Sequence, residues 1–447
     1  MAPVTEVRRA ALGMVARGGA AGLTGAVAGA VAQFVLVVVV TRAFDIAVAG
    51  SFFTAIALAL MVAGVAKLDA GNGLIFFIAR AKTYDYRGIS GYVRAALVPG
   101  VLVASAAGIL LHPQLGTAAL ILPAMVAADI LLAATRGFGA MRPTVLYDGI
   151  LLPVAQLALV TATALAWNHG LLTATTPTWT GGLLTGSSPQ SWLLAAWAAP
   201  YPLVLLLAAL SLRGRLPRTP YLCGTAHDLW RYTAPRSAAG AIQAVFQRLD
   251  IVIVAMLAGP APAAVYTAAT RFKVIGQLAN QGLAQAAQPR LIQALARGDL
   301  PRARELYQAT TMWLVLLTWP VWLGYAAVAP WLLRIFGSAY GAAVPVALIL
   351  SGTMMLATAC GMVDVVLTAA GHTTASLVNL VAAITVTVLL DLALIPAHGA
   401  LGAVLGWSCG VIVKNLLPLW QIHRRYGLRP FGRHSLNALR PGTWAAA

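Results

Sequence analysis

Between residues 18 and 421 the chain returns again and again to an apolar run of about twenty residues. Twelve such runs can be drawn, at about 18–41, 46–66, 92–111, 116–135, 143–167, 192–212, 237–258, 263–288, 308–329, 342–367, 375–395 and 399–421. At about 1.5 Å of rise per helical residue, each is long enough to cross a hydrocarbon core of about 30 Å. A backbone in that medium has no water to bond, so it must satisfy itself as helix or closed barrel. The alternating pattern of a barrel strand is absent. The fold class that follows is all-α: a polytopic membrane protein with about twelve transmembrane helices. The run at 263–288 is polar enough that hydropathy alone underrates it.

Charge supports this reading. Only 9% of residues are charged, against about a quarter in soluble domains. The net charge of +18 is spread over short segments between apolar runs, which excludes a basic nucleic-acid groove. With the N-terminus inside, 24 of the 30 basic residues fall in cytoplasmic segments and only Arg42 and Arg334 fall outside. Both termini are therefore expected in the cytoplasm. The first run follows Arg8, Arg9 and Arg17 and is too long for a signal-peptide core, so it is expected to remain as a span.

The longest inner linker, 213–235, divides the chain into an N-terminal six-helix lobe (1–212) and a C-terminal one (236–423), followed by a basic tail (424–447). The two halves open alike, with an arginine, a long apolar run, a short turn and a second span. Six spans per half would give parallel repeats. Cys223, Cys360 and Cys409 lie far apart and show no metal-ligand spacing. There is no HExxH and no P-loop, so neither a metal nor a bound nucleotide is expected as cofactor.

The costly residues concentrate between Arg236 and Arg290. Charges at bilayer depth persist where they face protein or water. Gln243, Gln247 and Asp250 fall on one helical stripe, with Arg248 offset beside it. Lys273, Gln277 and Asn280 form a second stripe, with Arg271 alongside. Arg248, Arg271 and Lys273 are expected at similar depth, and together they suit an anionic head group such as a diphosphate. A purely structural ion pair between Arg248 and Asp250 or Asp391 is the competing reading. Asp69, Asp364, Asp391 and Lys414 are candidate gate or ion-coupling positions. For these, and for Asp129 and Asp148, a cap or a helix–helix hydrogen bond is the plainer account. The counterpart hairpin at 18–66 is nearly devoid of mid-span charge, so anion binding is expected mainly in the second half.

Several stretches carry a resemblance. Thr41-Arg42-Ala43-Phe44 with Gly50-Ser51-Phe52-Phe53, then Arg248-Leu249-Asp250-Ile251, Gly259-Pro260 and Val265 to Arg271 follow one another in order. Leu367 to His372 and Leu394 to Ala403 come later. Over residues 10–430 the chain resembles the polysaccharide and O-antigen flippase branch of the multidrug/oligosaccharidyl-lipid/polysaccharide exporter superfamily. His372 stands where that family often has Arg or Lys. The resemblance implies two lobes around a central cavity and alternating access in the inner membrane. It also implies transfer of a polyprenyl-diphosphate-linked oligosaccharide from the inner to the outer leaflet. The implied partners are that anionic lipid-linked glycan, membrane lipids, and the glycosyltransferases and polymerase of the same pathway. The alternatives are a multidrug or cation exporter of the same superfamily, a lipid-linked peptidoglycan-precursor flippase, and a membrane glycosyltransferase or polymerase. An enzyme is disfavoured because the long outer loop carries neither Asp nor Glu.

Overall fold

The computed structural model describes residues 4–84, 86, 88–116, 118–172, 188–216 and 224–437. Side chains are described from residue 24 onward, except at 235, 274–279, 281–282, 284–286 and 289 within helices. Among the described residues the regular structure is helical throughout, which is how a backbone satisfies its own donors and acceptors in lipid. Contacts divide the chain into two compact units, 1–252 and 253–447.

The first unit opens with α1 (Val4–Ala43), α2 (Ile46–Ala66), the short α3 (Ala70–Thr83), α4 (Ile89–Leu110), the single turn α5 (His112–Leu115) and α6 (Ala118–Gly137). A π-helical segment, Thr144–Leu151, then runs into α7 (Leu152–Asn168). α8 (Pro189–Ala198) and α9 (Pro200–Arg213) together make one span. α10 (Thr225–Phe246) follows, and α11 (Leu249–Ala258) crosses the division between the units. α6 is the central helix: 67% of its apolar window is buried, and it packs on α3, α4 and α9. Polar contact between spans is sparse and specific. Gln33 donates to Gln156 Oε1 at 2.9 Å, and Gln156 donates onward to the Trp197 carbonyl at 3.1 Å.

Small residues let α10 lie close against its neighbours. A Cβ on Gly73 of α3 would meet Thr233 Oγ1 at 2.6 Å, and one on Gly91 of α4 would meet Thr225 Oγ1 at 2.6 Å. Trp230 Nε1 donates to the Ala95 carbonyl at 3.1 Å and pins α10 to α4.

The second unit contains α12 (Pro260–Thr270), α13 (Lys273–Ala296), the long α14 (Leu300–Arg334), a 3-10 segment Ser338–Ala343 leading into α15 (Val344–Ala359), α16 (Val363–Ala369), α17 (Thr373–His398), α18 (Ala400–Tyr426) and the short α19 (Arg433–Asn437). α17 and α18 form a tight hairpin. Its turn is Gly399, whose φ of 54° is open to glycine at little cost. Gly402, Gly406 and Gly410 recur every four residues along α18 and face the Leu394 carbonyl, Asp391 and Thr387 of α17. Such a stripe brings two helix backbones together where lipid supplies no hydrophobic drive. Near one end, Leu291, Tyr307, Val366, Leu367, Ile422 and Leu428 close an apolar cluster. Gln308 holds the tail there, donating to the Arg429 carbonyl at 3.3 Å and accepting from the His434 amide at 3.3 Å.

Among the described residues ten helices are long and apolar enough to span, and eleven if the bent pair Arg236–Phe246 with Leu249–Ala258 counts as one. These eleven coincide with eleven of the twelve expected runs. The expected span at 263–288 does not form as one apolar helix. It divides into α12 and α13 around Arg271 and Phe272, and the amides that follow Lys273 leave α13 too polar to count as an apolar span. Large apolar side chains such as Leu102, Leu206, Leu317 and Leu389 lie exposed on the helices, as expected where the solvent is lipid. The protein is a multi-pass, all-α membrane protein.

The hairpin contact yields a paired test. A methyl group at Gly406 would collide with Asp391 Oδ1, whereas one at Gly352 of α15 meets nothing within 4 Å. Gly406→Ala is expected to destabilise by about 1–3 kcal/mol, as overpacking does. Gly352→Ala is expected to be neutral or slightly stabilising. Thermal unfolding of the purified protein in detergent reads both; equal midpoints would show that the α17–α18 approach is looser than described.

Candidate functional site

A charged cavity of about 260 Å³ lies within the first unit. Its walls are built from four irregularities of the backbone. α2 ends at Ala66, and the chain passes through Leu68 and Asp69 with φ of 50° and 52°. Positive φ is uncommon outside glycine and marks a position held by its surroundings. This sharp exit presents Lys67 to the cavity. The π-helical segment supplies Asp148, since its extra residue per turn shifts side chains off the regular helical face. The α8–α9 junction precedes Tyr201. Finally, α10 breaks from α11 with a 47° bend, and the residues at the break are Gln247 and Arg248.

Lys67 Nζ donates to Asp129 Oδ2 of α6 at 2.7 Å, with the two side chains 39% and 38% exposed. Asp148, Tyr201, Gln247 and Arg248 complete the polar lining, and Leu60, Met125 and Leu152 the apolar lining. Gly64 lets α2 and α10 meet over the cavity, as a Cβ there would lie 2.7 Å from the Cβ of Ala244. With both acids ionised the site holds two positive and two negative charges. It is balanced, not predominantly cationic.

The remaining candidates fall as follows. Asp250 is buried and its Oδ1 accepts the amide of Ile251 at 3.0 Å, close to the start of α11. Gln243 is half-buried on the last turns of α10. Asp69 clamps α3 to α10: it accepts from Asn72 at 2.6 Å and pairs with Arg236 Nε at 3.2 Å. In the second unit, Arg271 stands at the break between α12 and α13. Lys273 lies 3.9 Å from the centroid of the Trp407 ring and donates to the Tyr266 hydroxyl at 3.3 Å. Asp391 is fully buried on α17. Asp364, exposed at the start of α16, accepts from the Ser376 hydroxyl. Lys414 is half-buried on α18 and Asn280 is exposed on α13. The Gln277 side chain lies outside the described residues. His372 and the Tyr426 hydroxyl are 2.9 Å apart. Among the described residues, no three His, Cys, Asp or Glu side chains come together to hold a metal ion.

The structure thus brings Gln247 and Arg248 to a cavity with Lys67, Asp129, Asp148 and Tyr201. From the sequence both acids read first as caps or helix–helix hydrogen bonds, with a gate or ion site as the alternative, and neither Lys67 nor Tyr201 stands out. The signal for the acids was present: each sits inside an apolar run, where an isolated charge costs at least about 2.5–3.5 kcal/mol.

The Lys67–Asp129 pair is a test of this geometry. Because both partners are partly exposed, their coupling is expected to be about 0.2–1 kcal/mol. A double-mutant cycle with Lys67→Met and Asp129→Asn, read by thermal unfolding, measures it. Strictly additive effects would show that the pair is not formed.

Residues 194–345 match the family model described as polysaccharide biosynthesis protein. No curated protein matches the sequence. Among solved structures, the chain is similar to an inward-facing multidrug resistance MATE family transporter of the MOP superfamily, with a TM-score of 0.65 and 15% identity over 89% of this chain and 94% of that one. It is similar to the lipid II flippase MurJ in an inward closed conformation, with a TM-score of 0.67 and 11% identity over 94% and 90%. It is also similar to a MOP superfamily transporter from Pyrococcus furiosus described as having a binding pocket of reverse polarity, with a TM-score of 0.54 and 15% identity over 91% and 93%. At these identities the likeness shows a shared fold. The family-model match covers residues 194–345, less than half of the chain, and shows a likeness to polysaccharide-biosynthesis proteins over that stretch.

Proposed function

We propose that the protein is a flippase that moves a polyprenyl-diphosphate-linked oligosaccharide from the inner to the outer leaflet by alternating access. The observation that carries this reading is Arg248. It stands at a break in a membrane helix, lines the charged cavity, and lies within the stretch that matches polysaccharide-biosynthesis proteins. At about 260 Å³ the cavity falls below the ~300–1,000 Å³ of ordinary small-molecule sites, so it suits a compact group such as a diphosphate better than a whole glycan. A guanidinium offers paired, planar donors that fit phosphate oxygens. The polyprenyl tail would stay in lipid.

On this reading two lobes alternate access, and Arg271 and Lys273 supply further cations from the C-terminal half. The chain sits in the inner membrane with both ends in the cytoplasm. It carries substrate without covalent chemistry, receiving it from glycosyltransferases and delivering it to a polymerase. Asp129 and Asp148 favour a second reading, a drug or cation exporter, since carboxylates in a cavity suit positively charged cargo. Lys67 and Arg248 offset them, which leaves the first reading ahead.

Reconstitution into proteoliposomes tests both. A fluorescent polyprenyl-diphosphate glycan placed in the inner leaflet is expected to reach a membrane-impermeant quencher faster than in protein-free vesicles. Arg248→Ala is expected to slow this at least tenfold with no loss of folded protein. Translocation no faster than in protein-free vesicles would overturn the flippase reading. Efflux of a lipophilic cation in its place would favour the exporter, and preference for a peptidoglycan precursor would reassign the cargo.

A further inference from the structure

A second and larger hollow, about 640 Å³, lies in the first unit away from the charged cavity. It opens between the end of α3, the start of α4 and the first turns of α10. Charge placement in the sequence assigns all three of these to the cytoplasmic side. Its floor is aromatic. Phe77 and Tyr92 are buried and stack with ring centroids 4.9 Å apart, and Tyr232 meets Phe77 edge-on at 5.7 Å. Tyr84 and Tyr86 rise from the rim, 75% and 38% exposed. Arg80 and Arg231 bring two guanidiniums to the same hollow, and Asp228 brings one carboxylate.

An interfacial aromatic belt is the plain explanation for tyrosine near a membrane surface. It does not explain this arrangement. Belt residues lie side by side along a surface, whereas these five rings and two cations converge on one concavity of small-molecule size. The floor is also fixed from behind. Gly73 and Gly91 bring α10 against α3 and α4, and Trp230 ties it to the Ala95 carbonyl. A pre-formed wall of this kind is what a binding site needs, because little must be ordered when the ligand arrives.

We propose that this hollow binds the glycosyl-phosphate head group of the cargo before it enters the charged cavity. Aromatic faces suit the apolar faces of a sugar ring. Tyrosine hydroxyls and the Asp228 carboxylate suit its hydroxyls, and Arg80 with Arg231 suit its phosphate. The fold connects the two sites. α10 runs unbroken from Tyr232 at the hollow to Phe246, the residue before the break that carries Gln247 and Arg248. That is about 21 Å at 1.5 Å per residue. Between them stands Arg236, half-exposed, 6.0 Å from the Tyr232 ring and paired with Asp69. It offers a cation part-way along the helix. The inference rests on the flippase reading for the identity of the ligand, and not for the existence of the site.

Binding is tested on the purified full-length protein in nanodiscs by saturation-transfer NMR, with hexose 1-phosphates and their 2-acetamido counterparts as probes. Free hexose, inorganic phosphate and nanodiscs rich in anionic phospholipid serve as comparisons. Glycosyl phosphates are expected to bind at least tenfold more tightly than inorganic phosphate or free hexose. Tyr84→Ala and Arg80→Gln, both exposed and expected to leave the unfolding midpoint unchanged, should each weaken binding at least fivefold. In proteoliposomes the two rim variants should raise the substrate concentration for half-maximal flipping while sparing the maximal rate. Equal binding of inorganic phosphate, competition by anionic phospholipid alone, no binding of any glycosyl phosphate, or insensitivity to the rim variants would each overturn the proposal. If the wild type binds glycosyl phosphate but flips nothing, the site stands and the flippase reading fails. If it flips normally while the rim variants behave as wild type, the reverse holds.

Discussion

Lipid offers a polar group nothing to bond, so each charge inside this chain has to be met by protein or by water held in a cavity. One place where the first unit meets that requirement is the charged cavity. Lys67 and Arg248 share a small hollow with Asp129 and Asp148, and the Lys67–Asp129 contact at 2.7 Å is the closest charged contact there. Spans that would otherwise be uniform acquire their shape around it. Gly64 is small so that α2 and α10 can close over the hollow, and α6, which holds Asp129, is the most enclosed of the apolar helices. In the second unit Lys273 solves the same problem differently, lying over the face of Trp407. A ring face attracts a cation by about 0.5–2 kcal/mol, and more effectively where water is scarce.

The backbone departs from regular helix where these charges occur. Asp69 and Leu68 have positive φ beside Lys67, and a π-helical segment contains Asp148. α10 breaks at Gln247 and Arg248, and α12 gives way to α13 at Arg271 and Phe272. Each departure frees backbone groups that a continuous helix would bond, and such backbone is tolerated in a membrane only where it is buried in protein or lines a cavity. Helix breaks and charged side chains therefore need the same surroundings, and one polar hollow serves both.

Hydropathy exposed most of the fold, because crossing a bilayer demands length and apolarity that few other structures require. Among the described residues, eleven of the expected runs are long and apolar enough to span, one of them as a bent pair. The run at 263–288 is helical but divided at Arg271 and Phe272, with amides that leave it too polar to register as an apolar span, and α3 has no signal of its own because fourteen mixed residues between two spans read as loop. The candidate site was legible only in part. Arg248 announced itself as a cation in an apolar run, and so did Asp129 and Asp148. What periodicity along one helix could not give was the partnership: Lys67 is 62 residues from Asp129, and nothing local ties them. Tyr201, in a span of ordinary hydropathy, had no signal at all. The charge sum was misjudged for the same reason. The cations of one hairpin were counted without the acids that other helices bring to them.

That corrected sum changes the physical demand on any anionic cargo. A purely cationic cavity would bind a diphosphate tightly and release it poorly. In a balanced one, Asp129 already occupies Lys67, and Asp148 lies in the same hollow as Arg248. An entering phosphate competes with carboxylates for the same donors, so its net gain is the difference between two charge-assisted interactions and not the whole of one. Transport needs that difference to be small, because the site that captures cargo on one side must surrender it on the other. The acids would then favour release on either reading of the cargo: they compete with an anion for the cations, and the cations compete with a cationic drug for the acids.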